Sequence, residues 1–105
     1  MNQDIRTKID QVIRSNPIVL FMKGNRAFPK CGFSARVVEI LEKHVDDFQA
    51  VNVLADSALR LELKEYTDWP TFPQLYVNGQ FVGGSDIVAE LDQQGQLKAL
   101  LKAPE

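Results

Sequence analysis

Cys31 is the one cysteine in 105 residues, and Cys31-Gly32-Phe33-Ser34 stands between a short loop and a helical pattern. A sulfur at a helix start faces free N–H groups and the positive end of the helix dipole, and both favour thiolate over thiol. Lys23, at the end of the apolar run before the loop, offers a cation to the same neighbourhood. With no second thiol in the chain, an intramolecular disulfide is closed to it. Such a thiolate can pair with a small thiol, a metal cluster or another chain. The competing reading is an inert, buried cysteine, since free Cys is among the most buried residue types. The polar and glycine neighbours of Cys31 suit exposure better.

The elements that must position this thiol can be read in order. Ile5, Ile9, Val12 and Ile13 repeat with helical spacing and stop before Asn16-Pro17. Ile18–Met22 is a short continuous apolar run, the pattern of a strand buried on both faces. Lys23–Lys30 contains Gly24, Asn25 and Pro29 and reads as a loop. Val37, Val38, Leu41 and Val45 mark a second helix after Cys31, and 48–53 reads as a second strand. Leu59, Leu63 and Tyr66 give a third helix with Asp56 as its cap. Two β-prone runs, 74–77 and 80–82, flank Asn78-Gly79, a strong hairpin signal. Gly83-Gly84 closes the second arm, and Ser85 is a candidate cap for a helix carrying Ile87, Val88 and Leu91, which Gly95 interrupts before Leu97, Leu100 and Leu101.

Two strands joined through a helix should lie parallel with a right-handed crossover, and the hairpin adds an antiparallel pair. The expected fold class is α/β, a four-stranded mixed β-sheet flanked by helices, with 1–105 as a single domain. Composition narrows the function. Twelve Lys and Arg against fourteen Asp and Glu give a net charge of −2 without basic clusters, which argues against nucleic acid. No apolar run approaches the ~18 residues of a membrane span. The N-terminus mixes Asp4, Arg6, Lys8, Asp10 and Arg14 with its apolar positions, unlike a signal peptide, and a lone cysteine suits a reducing compartment, so a cytoplasmic protein is expected.

Four blocks carry a resemblance: Phe21-Met22-Lys23-Gly24, Cys31-Gly32-Phe33-Ser34, Trp69-Pro70-Thr71-Phe72-Pro73 and Gly83-Gly84-Ser85-Asp86. Together, and in this order, they resemble the single-domain monothiol glutaredoxins of the CGFS type across about the whole chain. The resemblance implies a thioredoxin-like fold and a glutathione groove. It implies that Lys23 and Arg60 hold the glycine carboxylate of glutathione. It makes Pro73 a cis proline, with the Phe72 main chain pairing with the cysteinyl unit. Gly84 would permit close backbone approach, while Ser85 and Asp86 would take the γ-glutamyl end. Position 85 is Ser where many relatives carry a second cysteine, and Ser34 stands where dithiol glutaredoxins have theirs.

Two functions follow from the resemblance. One is a carrier: Cys31 from each of two chains and two glutathiones ligate a [2Fe–2S] cluster at a homodimer interface, for transfer to iron–sulfur recipient proteins, with a BolA-like protein as a further partner. The other is a glutathione-dependent oxidoreductase in which Cys31 resolves protein–glutathione mixed disulfides. The lengthened loop before Cys31 weighs toward the carrier. His44, the only histidine, reads as a dipole-facing or solvated residue near a helix end, and Cys31 with His44 does not make a tetrahedral zinc set. Trp69 reads as packing under the proline-rich turn or lining a docking surface, and Phe21, Met22, Phe48 and Phe81 as core.

Overall fold

Strand β1 (Ile18–Met22) is apolar at every position because both of its faces are covered. In the computed structural model, which describes residues 3–102, β1 lies inside a four-stranded sheet of order β2-β1-β3-β4. It runs parallel to β2 (Gln49–Asn52) and antiparallel to β3 (Gln74–Val77). Alternate residues of β1 then serve two separate cores. Ile18, Leu20 and Met22 pack with Val37, Leu41, Val88 and Leu97, whereas Val19 and Phe21 pack with Ile9, Ile13, Leu63 and Tyr76. Helices α1 (Gln3–Ser15) and α3 (Ser57–Thr67) therefore cover one face. Helices α2 (Gly32–His44), α4 (Ser85–Gln93) and α5 (Gln96–Leu100) cover the other. No helix among the described residues is long and apolar enough to cross a membrane.

The hairpin forms as the Asn-Gly signal requires. Asn78 and Gly79 have φ of 52° and 80°, so both take left-handed backbone and turn β3 into β4 (Gln80–Gly83) with Val77 opposite Gln80. Asp56 caps α3 by accepting the Leu59 N–H at 3.0 Å. Three expectations shift. The second strand is shorter than 48–53, because Val53–Ala55 turns into a 3-10 helix whose start Asn52 caps. Ser85 is the first residue of α4 and not its cap, a place taken by Gly84. Phe81 is half-buried at the edge strand, packed against Trp69 and Tyr76.

His44 takes the dipole-facing place at the end of α2 rather than a solvated one. Its Nε2 lies 2.7 Å from Asp92 Oδ1, and since a carboxylate only accepts, the imidazole carries its proton there. Lys43 Nζ donates to Asp92 Oδ2, also at 2.7 Å. Asp92 occupies the last turn of α4, where a negative charge opposes the helix dipole. The two basic residues ending α2 offset it, so the C-terminal ends of α2 and α4 are clasped together. The Lys43 and His44 hydrogen bonds hold the Asp92 carboxyl below its ordinary range. A depressed carboxyl stabilises the fold fully above its unfolded value of about 4, and the contribution is lost as pH falls through the folded value. Asp92→Asn should lower stability at neutral pH by up to about 1 kcal/mol. In urea unfolding the gap between wild type and variant should narrow steadily as pH is lowered below the ordinary carboxylate value of about 4.

Candidate functional site

The site begins where β1 ends. Cys31 is the N-cap of α2, with extended backbone (φ −147°, ψ 135°) and no side-chain cap hydrogen bond. Its carbonyl accepts the Ala35 N–H at 2.9 Å, closing the first helical turn, while the N–H groups before that are left facing the sulfur. Ser34 is fully buried, and its Oγ accepts the Lys23 N–H at 3.1 Å, tying the end of β1 to the first turn of α2. Cys31 is half-exposed. The Ser34 backbone N–H pulls its thiol below the ordinary value most strongly; partial burial opposes this, and the Phe33 N–H, the Lys23 charge and the Ser34 hydroxyl add to the lowering.

Beside the sulfur opens a cleft of about 530 Å³, within the size range of small-molecule sites. Lys23 and Cys31 line one side, and Thr71, Phe72 and Pro73 line another. The Phe72–Pro73 peptide is cis. The turn before it is held from below by Gln74, fully buried, whose Nε2 donates to Trp69 O at 3.1 Å and Thr71 O at 3.2 Å. Trp69 lies 5.7 Å from Phe81, ring centre to ring centre, and its indole closes that side of the cleft.

The far end of the cleft is the start of α4. Gly84 caps it without a side chain, so the first N–H groups of α4 have no capping oxygen, in contrast to those of α3. A Cβ on Gly84 would stand 3.3 Å from both Pro73 O and Trp69 Nε1, which crowds the cleft wall. Gly83 is the stricter position: its φ is +149°, and a Cβ there would meet Ile87 side-chain carbons at 2.9 Å. Ser85 is 8% exposed, lines the cleft, and its Oγ has no hydrogen-bond partner, as does Trp69 Nε1. Buried polar atoms are normally paired. Two such atoms beside two uncapped helix N-termini describe a cleft shaped for a polar, anionic ligand that reaches a thiolate.

Five of the six residues singled out in the sequence, Lys23, Cys31, Phe72, Ser85 and Asp86, meet in this cleft. Arg60 does not line it; it lies half-buried in the first half of α3. Phe33, Trp69, Thr71, Pro73, Gly84 and Ile87 complete the lining; Pro73 and Gly84 are expected there from the sequence, and Trp69 is expected either to pack under the turn or to line a docking surface. The loop before Cys31 is closed by a bridge between Gly24 and Pro29, with Lys30 N–H donating to Lys23 O at 2.9 Å. Arg26 pins it from outside, donating to Asp47 at 2.9 Å and Glu42 at 3.1 Å with its guanidinium 4.0 Å from the Phe48 ring centre. Among the described residues, no group of three or more His, Cys, Asp or Glu side chains is placed to hold a metal ion.

A glutaredoxin family profile matches residues 18–82. A Synechocystis protein described as an uncharacterized monothiol glutaredoxin, ycf64-like, is 49% identical over 102 residues, covering 97% of this chain and 95% of its own length. A probable monothiol glutaredoxin 2 of Rickettsia typhi is 55% identical over 94 residues, covering 90% of this chain and 85% of its own length. Among solved structures, reduced poplar apo GrxS14 superposes with a TM-score of 0.80 at 49% identity, covering 90% of this chain and 87% of that one. A buckwheat glutaredoxin–glutathione complex gives 0.84 at 26% identity, covering 94% and 88%. The thioredoxin-like sheet, the cis proline facing a helix-capping cysteine and these likenesses agree: the chain belongs to the glutaredoxin family, among its monothiol members.

Proposed function

We propose that this protein binds glutathione in the cleft and, as a homodimer, carries a [2Fe–2S] cluster as cargo for delivery to recipient proteins. The observation that carries this reading is a single activated thiol at the mouth of a cleft whose polar atoms await a ligand. A [2Fe–2S] cluster is normally held by four thiolates, and one chain offers one. Two chains with two glutathiones complete the set, and the donor chemistry fits: Cys31 is half-exposed and held toward its thiolate form. Lys23 at the end of β1 suits the glycine carboxylate of glutathione, and Arg60 would join it only if its side chain swings toward the cleft from α3. The free edge of the Phe72–Pro73 turn suits main-chain pairing with the cysteinyl unit. The uncapped start of α4, with the Ser85 hydroxyl and the Asp86 carboxylate, suits the γ-glutamyl end. A BolA-like protein is a further partner in this reading.

The lowered Cys31 thiol also supports a second reading, a glutathione-dependent oxidoreductase. There the Cys31 thiolate attacks the glutathione sulfur of a protein–glutathione disulfide and releases the protein thiolate. A second glutathione then attacks the Cys31–glutathione disulfide, regenerating Cys31 and leaving as oxidised glutathione.

Two measurements test the site and separate these readings. Alkylation of Cys31 by iodoacetamide should show a pH midpoint below the ~8.5 of a free cysteine. Lys23→Gln should move that midpoint upward only part of the way, because backbone N–H groups do more of the lowering than the Lys23 charge. Anaerobic reconstitution with iron, sulfide and glutathione should give visible cluster absorption and a shift from monomer to dimer, both abolished in Cys31→Ser. A protein that stays colourless and monomeric yet turns over a glutathione mixed disulfide briskly would establish the oxidoreductase instead.

A further inference from the structure

One charged side chain at the rim of the cleft, outside its lining, has no part in the site described so far. Arg36, in the second turn of α2, places Nη1 4.0 Å from Asp86 Oδ1 in the first turn of α4. The separation is too long for a hydrogen bond, so the pair is open. Both groups face solvent, with the Arg36 side chain 49% and the Asp86 side chain 95% exposed. Among the described residues the Arg36 guanidinium makes no hydrogen bond and no other ion pair. A guanidinium carries five N–H donors in a planar fork suited to a carboxylate.

We propose that Arg36 is a specificity-determining residue for the amino-acid head of the ligand, taking its α-carboxylate while Asp86 takes its α-ammonium. This rests on the glutathione reading above. An α-amino-acid head carries opposite charges on one carbon. Asp86 lines the cleft and Arg36 stands beside it at the rim, an anion from α4 and a cation from α2 set side by side, as the two charges of the head are. The buried, unpartnered Ser85 Oγ lies at the same end and marks it as a ligand-binding end. Lys23 enters the cleft from the end of β1 and serves the other carboxylate of the ligand. A γ-linked glutamyl group leaves both charges of its head free, whereas a glutamate linked through its α-carboxyl has lost that carboxylate and, inside a chain, the ammonium as well. The Arg36–Asp86 pair therefore selects γ-glutamyl thiols over other cysteinyl peptides.

The test is an NMR titration of wild type and Arg36→Gln, read on the Asp86 and Ile87 amides. The probes are reduced glutathione and γ-aminobutyryl-cysteinylglycine, which lacks only the α-carboxylate of the head. Arg36 is exposed enough for the variant to fold, and unchanged thermal unfolding checks this. Glutathione should bind Arg36→Gln about two- to fivefold more weakly than wild type, the range of an exposed ion pair. The decarboxylated probe should bind both proteins equally, and Arg36→Lys should recover part of the glutathione affinity. An equal loss for both probes would overturn the proposal by making Arg36 a source of general positive charge. Tighter glutathione binding by Arg36→Gln would overturn it by showing that Arg36 competes for Asp86. Wild type that binds neither probe would remove the glutathione reading itself, and this proposal with it.

Discussion

The N–H groups at the starts of α2 and α4, left without a capping side-chain oxygen, are the constraint around which this fold is arranged. A helix begins with N–H groups that have no partner within the helix, and proteins usually supply one from a nearby side chain. Here α3 has its cap in Asp56, and the 3-10 turn before it has Asn52. At α2 and α4 the capping positions are held by Cys31 and Gly84, neither of which makes a side-chain cap hydrogen bond. Both open into one cleft. The partial positive charge of two helix starts is thereby focused on one small volume. That accounts for the lowered thiol and for the anionic character expected of whatever fills the space.

The rest of the architecture keeps those two starts together. Strand β1, fully buried, delivers Lys23 to the cleft, and the buried Ser34 hydroxyl fixes the end of that strand to the first turn of α2. The cis Phe72–Pro73 turn, held by Gln74, forms the wall between the two helices. At the opposite ends of α2 and α4, Asp92 bridges Lys43 and His44. Apolar packing of Val37, Leu41, Val88 and Ala89 fills the space between. The two helices are thus clasped at their C-terminal ends and packed along their length, which keeps their starts beside one cleft.

The sequence makes the local devices legible and hides the distant ones. Ile18–Met22 and Asn78-Gly79 announce a buried strand and a hairpin because each signal depends only on neighbouring residues. Cys31, Lys23, Phe72, Ser85 and Asp86 could be gathered into one site from four short blocks. What could not be read are pairings across long stretches of chain: Arg26 with Asp47, His44 with Asp92, Arg36 with Asp86. A charged residue on a half-exposed face leaves no periodic trace of its partner, since solvation alone would satisfy it. Ser85 stands one position inside the helix that its residue type suggests it should cap, for a related reason. Serine is a favoured cap, but the extended Gly83-Gly84 backbone carries the chain one residue further before the helix starts.

Ser34 shows why the single thiol is more than the loss of a second one. A cysteine at this position would offer a weak acceptor in place of the hydroxyl. The hydroxyl instead accepts the Lys23 N–H in a fully buried setting, where an unpaired backbone N–H would be costly. The same residue provides the backbone N–H that does most to lower the Cys31 thiol, and its hydroxyl adds to the effect. Serine thus removes the internal partner that would capture the thiolate and helps keep the thiolate formed. A sulfur held in that state, with no thiol of its own chain in reach, is committed to ligands from outside. The polar end of the cleft, with the unpartnered Ser85 hydroxyl and the open Arg36–Asp86 pair, is then where such a ligand is chosen.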